Sequence, residues 1–120
     1  MKKIIEISVS VQKADILSVK TDLLALGMFE GKKRPDHLAK PDARLGGALT
    51  NALKLGDFSG KKGTSILFYS KGQIPARRIL IVGLGEKKKA AADTLRKAAA
   101  AAASKAVDLK AANAASALHL

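Results

Sequence analysis

Arg77-Arg78-Ile79-Leu80-Ile81-Val82-Gly83-Leu84-Gly85 is the stretch on which the fold turns. Ile79 to Val82 is an uninterrupted apolar, mostly β-branched run, the character of a central strand covered on both faces. Gly83-Leu84-Gly85 is expected to stop it. Further on, Asp93 or Thr94 can cap a long helix in which Leu95, Ala98, Ala99, Ala102, Ala106 and Leu109 share one face. The alanine run Ala98 to Ala103 consists of strong helix formers, so it predicts a helix with a small-residue contact face and not low complexity. Ala115-Ser116-Ala117-Leu118-His119-Leu120 then alternates weakly, like a strand at its beginning.

Upstream, Ile5, Ile7, Val9 and Val11 alternate with Glu6, Ser8 and Ser10, which predicts a half-buried strand over Ile4 to Val11. A turn through Lys13-Ala14-Asp15 leads to Ile16-Leu17-Ser18-Val19, a short extension of the sheet. Leu23 to Phe29 is continuously apolar and ends at Glu30-Gly31, as suits a strand buried on both sides. Lys32 to Pro41 holds two prolines and several charges and reads as a surface loop. Asp42 follows as a helix N-cap, and Leu45, Ala48, Leu49, Ala52 and Leu53 form one helical stripe up to a C-terminal Gly56. Gly46-Gly47 inside that stripe costs about 1 kcal/mol per glycine relative to alanine, a cost that close packing of the helix on a sheet would explain. Thr64 to Tyr69 is a third strand, and Gln73 to Ala76 is a turn around Pro75. The order strand, strand, helix, strand, strand, helix, strand indicates a single α/β domain with helices packed on a central sheet.

The extreme number is the charge. Lys and Arg total 22 against 10 Asp and Glu, a formal net charge of +12. Such a balance favours polyanions, nucleic acid first among them. The basic residues fall into small groups: Lys2-Lys3, Lys32-Lys33-Arg34, Lys61-Lys62, Arg77-Arg78 and Lys87-Lys88-Lys89. None is interleaved with the aromatics on which single-strand binders stack bases, so a solubilising surface is the plainer reading. With no cysteine, disulfides and thiolate metal sites are excluded. Met1-Lys2-Lys3 resembles a leader only until Glu6, and no run approaches the roughly 18 apolar residues of a membrane span. The expected setting is cytoplasmic, with no membrane partner.

Little chemistry is visible. A strand passing through Gly83-Leu84-Gly85 toward a helix has the layout of a phosphate-binding turn, because backbone N–H groups and the helix dipole converge there. The dinucleotide fingerprint is incomplete, however, since Lys88 occupies its third glycine position. A tight strand-to-helix turn accounts for the same residues. The histidines are His37, in a charged loop, and His119, next to the last residue; they do not suggest a metal pair. The carboxylates are spread among caps, turns and polar faces, and no spacing presents the cluster of ligands that a catalytic metal requires. Ser59, Ser65, Ser70 and Ser104 lack a nucleophile-elbow context. On these residues alone the chain is expected not to be an enzyme.

Four stretches nevertheless occur together in a recognisable order: Thr21 to Gly31; Leu45-Gly46-Gly47-Ala48-Leu49 running on to Gly56-Asp57-Phe58-Ser59-Gly60-Lys61; Arg77 to Gly85; and Thr94-Leu95-Arg96-Lys97-Ala98-Ala99. In combination they resemble the N-terminal domain of the leucyl (cytosol) aminopeptidase family of zinc- or manganese-dependent exopeptidases. The resemblance covers about residues 18 to 120. It implies a macro-domain-like three-layer α/β/α fold with a central mixed sheet, truncated at the C-terminal end, so that residues 1–120 form one non-catalytic domain. It implies a parent that removes N-terminal residues from peptides with two divalent metals, Zn or Mn, held in a separate catalytic domain. That family's Asn-Thr-Asp-Ala-Glu-Gly-Arg signature has no match here, so no catalytic or metal-binding residue is assigned, and no cofactor is expected in this chain. The partners implied are the chain's own catalytic domain and the other subunits of a homo-hexamer. DNA is a further partner, since some bacterial members bind it; its contacts would be Lys32, Lys33, Arg34, Lys61, Lys62, Arg77, Arg78, Lys87, Lys88 and Lys89. Nucleotide or ADP-ribose binding of the macro type at Gly83, Leu84 and Gly85 is a third reading.

Overall fold

The computed structural model describes Glu6–Ile7, residues 20–111 and Asn113–Ala117. Five strands, β1 (Glu6–Ile7), β2 (Leu23–Phe29), β3 (Ser65–Tyr69), β4 (Arg78–Gly85) and β5 (Asn113–Ala117), form one sheet in the order β1-β5-β2-β4-β3. Neighbours run parallel except β3, which is antiparallel to β4. Successive side chains of a strand point to opposite faces, and both faces are covered. Leu24, Leu26 and Met28 of β2, with Ile79 and Ile81 of β4, join Leu38, Leu49, Leu53 and Phe58 on one side. Leu23, Ala25, Leu80, Val82 and Leu84 meet Ala98, Ala102 and Ala106 on the other. Leu38 and helix α2 (Ala48–Leu55) cover the first face, with helix α1 (Ala39–Arg44) packed on α2, and helix α3 (Ala92–Asp108) covers the second. The result is the three-layer α/β/α architecture with a mixed sheet.

Several expectations need correction. Lys32 to Pro41 is not loop throughout: a 3-10 turn spans Asp36–Leu38, Leu38 is fully buried, and α1 begins at Ala39. Pro41 is tolerated because it sits in the first turn of α1, where a backbone N–H has no intrahelical acceptor. The helix expected across Leu45 to Leu53 is broken at Gly46-Gly47. Both glycines have positive φ, +71° and +80°, and a Cβ on either would meet nothing within 4 Å. They therefore end α1 and turn the chain into α2; close packing is not their role. Gly56 does close α2 in the left-handed region, at φ +79°.

Strand β4 does not stop before Gly83-Leu84-Gly85 but runs through them. Helix α3 starts at Ala92, with Ala91 in the N-cap position, so neither Asp93 nor Thr94 is the cap residue itself. Thr94 Oγ1 instead accepts the Ala91 N–H at 3.1 Å, the returning half of a capping box. Ala99 is exposed, whereas Ala98, Ala102 and Ala106 are buried. Strand β5 begins at Asn113 and is interior, seated between β1 and β2. The readings placed on Lys13 to Val19 and on Leu118 to Leu120, and the strand residues flanking Glu6–Ile7, lie outside the described residues.

Candidate functional site

Parallel α/β sheets present ligand sites at the carboxyl ends of their strands. Here β2 and β4 end side by side, and the segment from Ser59 to Thr64 lies across them. Glu30 N–H donates to Gly85 O (2.8 Å), Gly31 N–H to Ser59 O (2.9 Å), Gly85 N–H to Gly60 O (2.9 Å) and Gly83 N–H to Thr64 O (2.8 Å). Such closeness requires glycine at two positions. A Cβ on Gly60, whose φ is +79°, would stand 2.7 Å from Phe29 O. One on Gly83 would strike Lys61 O and crowd Thr64 Oγ1. Three of the four stretches singled out in the sequence thus converge on one main-chain junction. The space beside Gly83 is filled by the protein's own backbone, Leu84 is buried in the α3-side core, and residues Glu86 to Ala91 separate Gly85 from α3.

Beside the junction is a cleft of about 220 Å³ lined by Glu30, Lys62, Leu84, Gly85, Glu86, Lys89 and Thr94. A second hollow of about 140 Å³ shares Lys62 and Thr94 with it and extends to Lys97. The region carries both signs of charge: Lys62, Lys89 and Lys97 stand among Glu30, Glu86 and Asp93. The Lys89 ammonium lies 3.6 Å from Glu86 and that of Lys97 lies 3.2 Å from Asp93, exposed pairs of small net strength. The sequence assigns Lys97, Thr94 and Glu30 to no site, although Thr94 reads there as a cap. Their signal is weak, since only the start of α3 and the crossing of the Ser59 to Thr64 segment bring them together.

The sequence-selected basic residues divide into separate territories. Lys61, Lys62 and Lys87, Lys88, Lys89 are exposed near the carboxyl ends of β2 and β4, and Lys32 and Lys33 are exposed just past the end of β2. Arg77 and Arg78 stand at the opposite end of β4, a strand of eight residues at about 3.3 Å each. Arg77 lies 3.7 Å from Asp22, and the Arg78 guanidinium carbon is 5.9 Å from the Tyr69 ring centroid. Arg34 is engaged elsewhere, with its Nη1 donating to Asp42 Oδ2 at 2.8 Å.

Asp42 is the one buried carboxylate among the described residues. It lies inside α1 yet caps α2: its Oδ1 accepts from Leu49 N–H (2.8 Å) and Thr50 N–H (3.2 Å), and its Oδ2 accepts from the Thr50 hydroxyl and from Arg34. Burial by itself pushes this carboxyl up. The Thr50 hydroxyl, the Arg34 guanidinium and the two backbone N–H groups outweigh it and hold the group below the ordinary carboxylate value. His37 is likewise occupied: its Nε2–H donates to Gly27 O at 2.7 Å. Among the described residues no three His, Cys, Asp or Glu side chains group to hold a metal ion. Nor is any helix of the described residues long and apolar enough to cross a membrane.

Comparison with known proteins agrees with this geometry. Residues 25–120 match the model of the cytosol aminopeptidase family, N-terminal domain. The probable cytosol aminopeptidase of Alkaliphilus oremlandii is 33% identical over 104 residues, covering 86% of this chain and 21% of the relative. That of Roseiflexus castenholzii is 37% identical over 102 residues, covering 85% of this chain and 19% of the relative. The chain therefore spans about a fifth of the length of these curated relatives. Among solved structures, a tomato leucine aminopeptidase mutant superposes with a TM-score of 0.76 at 30% identity, over 98% of this chain and 24% of that one. The macrodomain of Mycobacterium tuberculosis DarG gives 0.65 at 13% identity, over 91% of this chain and 74% of that one, a likeness of fold alone. The ordered motifs, the junction they build and the family match over residues 25–120 together place this chain in the cytosol aminopeptidase family, as its N-terminal domain.

Proposed function

We propose that this chain is the non-catalytic domain of a cytoplasmic, metal-dependent leucyl aminopeptidase and serves the assembly of its hexamer. The observation that carries the reading is the match to an N-terminal-domain model by a chain equal to only about a fifth of its relatives' length. The polar groups support it, because Asp42, Asp93, Glu86 and His37 are spent on caps, ion pairs and a main-chain bond. The two divalent metals and the peptide-cleaving chemistry then belong to the rest of the parent, and no reaction step is assigned to residues here. Hydrolysis of leucine anilide or Leu-Gly with added manganese tests this. No turnover is expected from the 120-residue chain; turnover that a chelator abolishes would overturn the reading.

A second reading, nucleic-acid binding, is favoured by the exposed Lys61, Lys62, Lys87, Lys88 and Lys89 near the carboxyl ends of β2 and β4. Binding should weaken steeply between about 50 and 200 mM salt, because neutralised phosphates release counterions. Replacing Lys87, Lys88 and Lys89 together with Ala should reduce it. A mobility shift indifferent to salt, or none, would count against it. The nucleotide reading at Gly83-Leu84-Gly85 has only the fold in its favour, and a fold does not carry a ligand with it.

A further inference from the structure

Strand β3 is the outer strand of the sheet: it pairs with β4 and with no second strand among the described residues. Its bonding direction can be worked out. Gly83 N–H donates to Thr64 O and Ser70 N–H donates to Arg77 O. In an antiparallel ladder hydrogen-bonded and non-bonded positions alternate, so the even-numbered residues Ile66 and Phe68 bond to β4. The main-chain N–H and C=O groups of Ser65, Leu67 and Tyr69 consequently point away from β4, along the sheet's free edge. Natural sheets usually blunt such an edge with proline, a bulge or a charge within the strand. Ser65-Ile66-Leu67-Phe68-Tyr69 has none, and its pairing with β4 is regular throughout.

The flanks decide what can pair there. Lys61 and Lys62 precede the strand and Lys71 follows it. A groove of about 570 Å³ runs beside the edge, between β3 and the α1–α2 junction. Leu45 and Phe68 give it apolar walls, and its only ionic residues are Arg44 and Lys71. A second copy paired antiparallel about Leu67 would set each Lys71 opposite Gly63 and beside Lys62 of the other chain. That is a like-charge contact at both ends, between molecules already carrying +12. We propose that the β3 edge receives an extended peptide segment of another protein, apolar at its centre and acidic at its ends, as a sixth strand. Main-chain bonds to Ser65, Leu67 and Tyr69 supply the binding, alternate side chains enter the groove, and the acidic ends meet Lys62 and Lys71.

The test is fluorescence anisotropy with the 120-residue chain and labelled Glu-Glu-Thr-Val-Thr-Val-Thr-Glu-Glu, against the same peptide with Lys at its ends. The acidic peptide is expected to bind about tenfold or more tighter, a margin that shrinks as salt screens the flanks. Leu67→Pro removes an outward N–H without taking a bond from the β4 ladder and should abolish binding with the far-UV circular dichroism kept. Should that variant unfold, Lys62→Glu with Lys71→Glu decides, because it should invert the peptide preference. Equal binding of both peptides, no binding, or an uninverted preference would overturn the proposal. So would a dimer of the unmodified chain in sedimentation that the Leu67→Pro variant dissolves, since the occupant would then be a second copy.

Discussion

The two faces of the sheet solve the same burial problem with different materials. On the α1–α2 face, Leu, Ile, Met and Phe interlock, and the helices are short, separated by glycines and fixed by the carboxylate of Asp42. On the other face one long helix lays Ala98, Ala102 and Ala106 against Leu80, Val82 and Leu84. Large side chains bury much apolar area at roughly 25 cal/mol per Å², and they leave a hole when trimmed. Alanine buries little but brings a helix close to the strands, leaving no room for growth. One face should therefore be sensitive to loss of volume and the other to gain.

Five substitutions can break or sharpen that contrast, each read from the midpoint of urea unfolding. Leu49→Ala, at a site 2% exposed, should cost about 4 kcal/mol through lost burial and the cavity left behind. Asp42→Ala should cost about 3 kcal/mol, the lower end for a broken buried pair because the Arg34 side chain is 38% exposed. Asp42 has a pH signature as well. Its folded pKa is depressed, so its contribution is complete above the unfolded value of about 3.9 and is lost as pH falls through the lower folded value. Acid unfolding followed by circular dichroism should accordingly be shallower in Asp42→Ala. Ala106→Leu, at a fully buried site, should cost about 2 kcal/mol by overpacking, whereas Ala99→Leu on the exposed side of α3 should stay within about 0.5 kcal/mol. If both alanine sites respond alike, the contrast between the faces fails. Thr94→Ala, which frees the Ala91 N–H, should cost about 0.5–1 kcal/mol.

Elements whose signal is local were legible. The apolar runs of β2 and β4, the β3 strand, the Gly56 stop and the alanine face of α3 all follow from neighbouring residues. What escaped depends on residues distant in sequence. Asp42 reads correctly as a capping residue, yet the helix it caps starts six residues later, because Gly46 and Gly47 fold the chain back. Gly83 reads as a strand breaker or a phosphate turn. Only the passage of Lys61 over it shows why a side chain is excluded. Strand β5 is built from Asn113-Ala114-Ala115-Ser116-Ala117, which carries almost no strand signal, and its interior place comes from β1 and β2 on either side. Of the candidate site, the basic groups were visible, but the separation of Arg77 and Arg78 from the lysines by the length of β4, and the engagement of Arg34, were not.

The place of β5 has a kinetic consequence. β1 and β2 are the first described strands to be synthesised, but they are not neighbours; Leu23 aligns with Ala114, and Glu6 with Asn113. The gap between them stays open until nearly the whole described chain has emerged. Contacts of such sequence separation slow folding, and a nascent chain would hold two strand edges apart for its final arrival. In this sheet the weakest strand by composition is also the keystone, and its insertion is expected to come last.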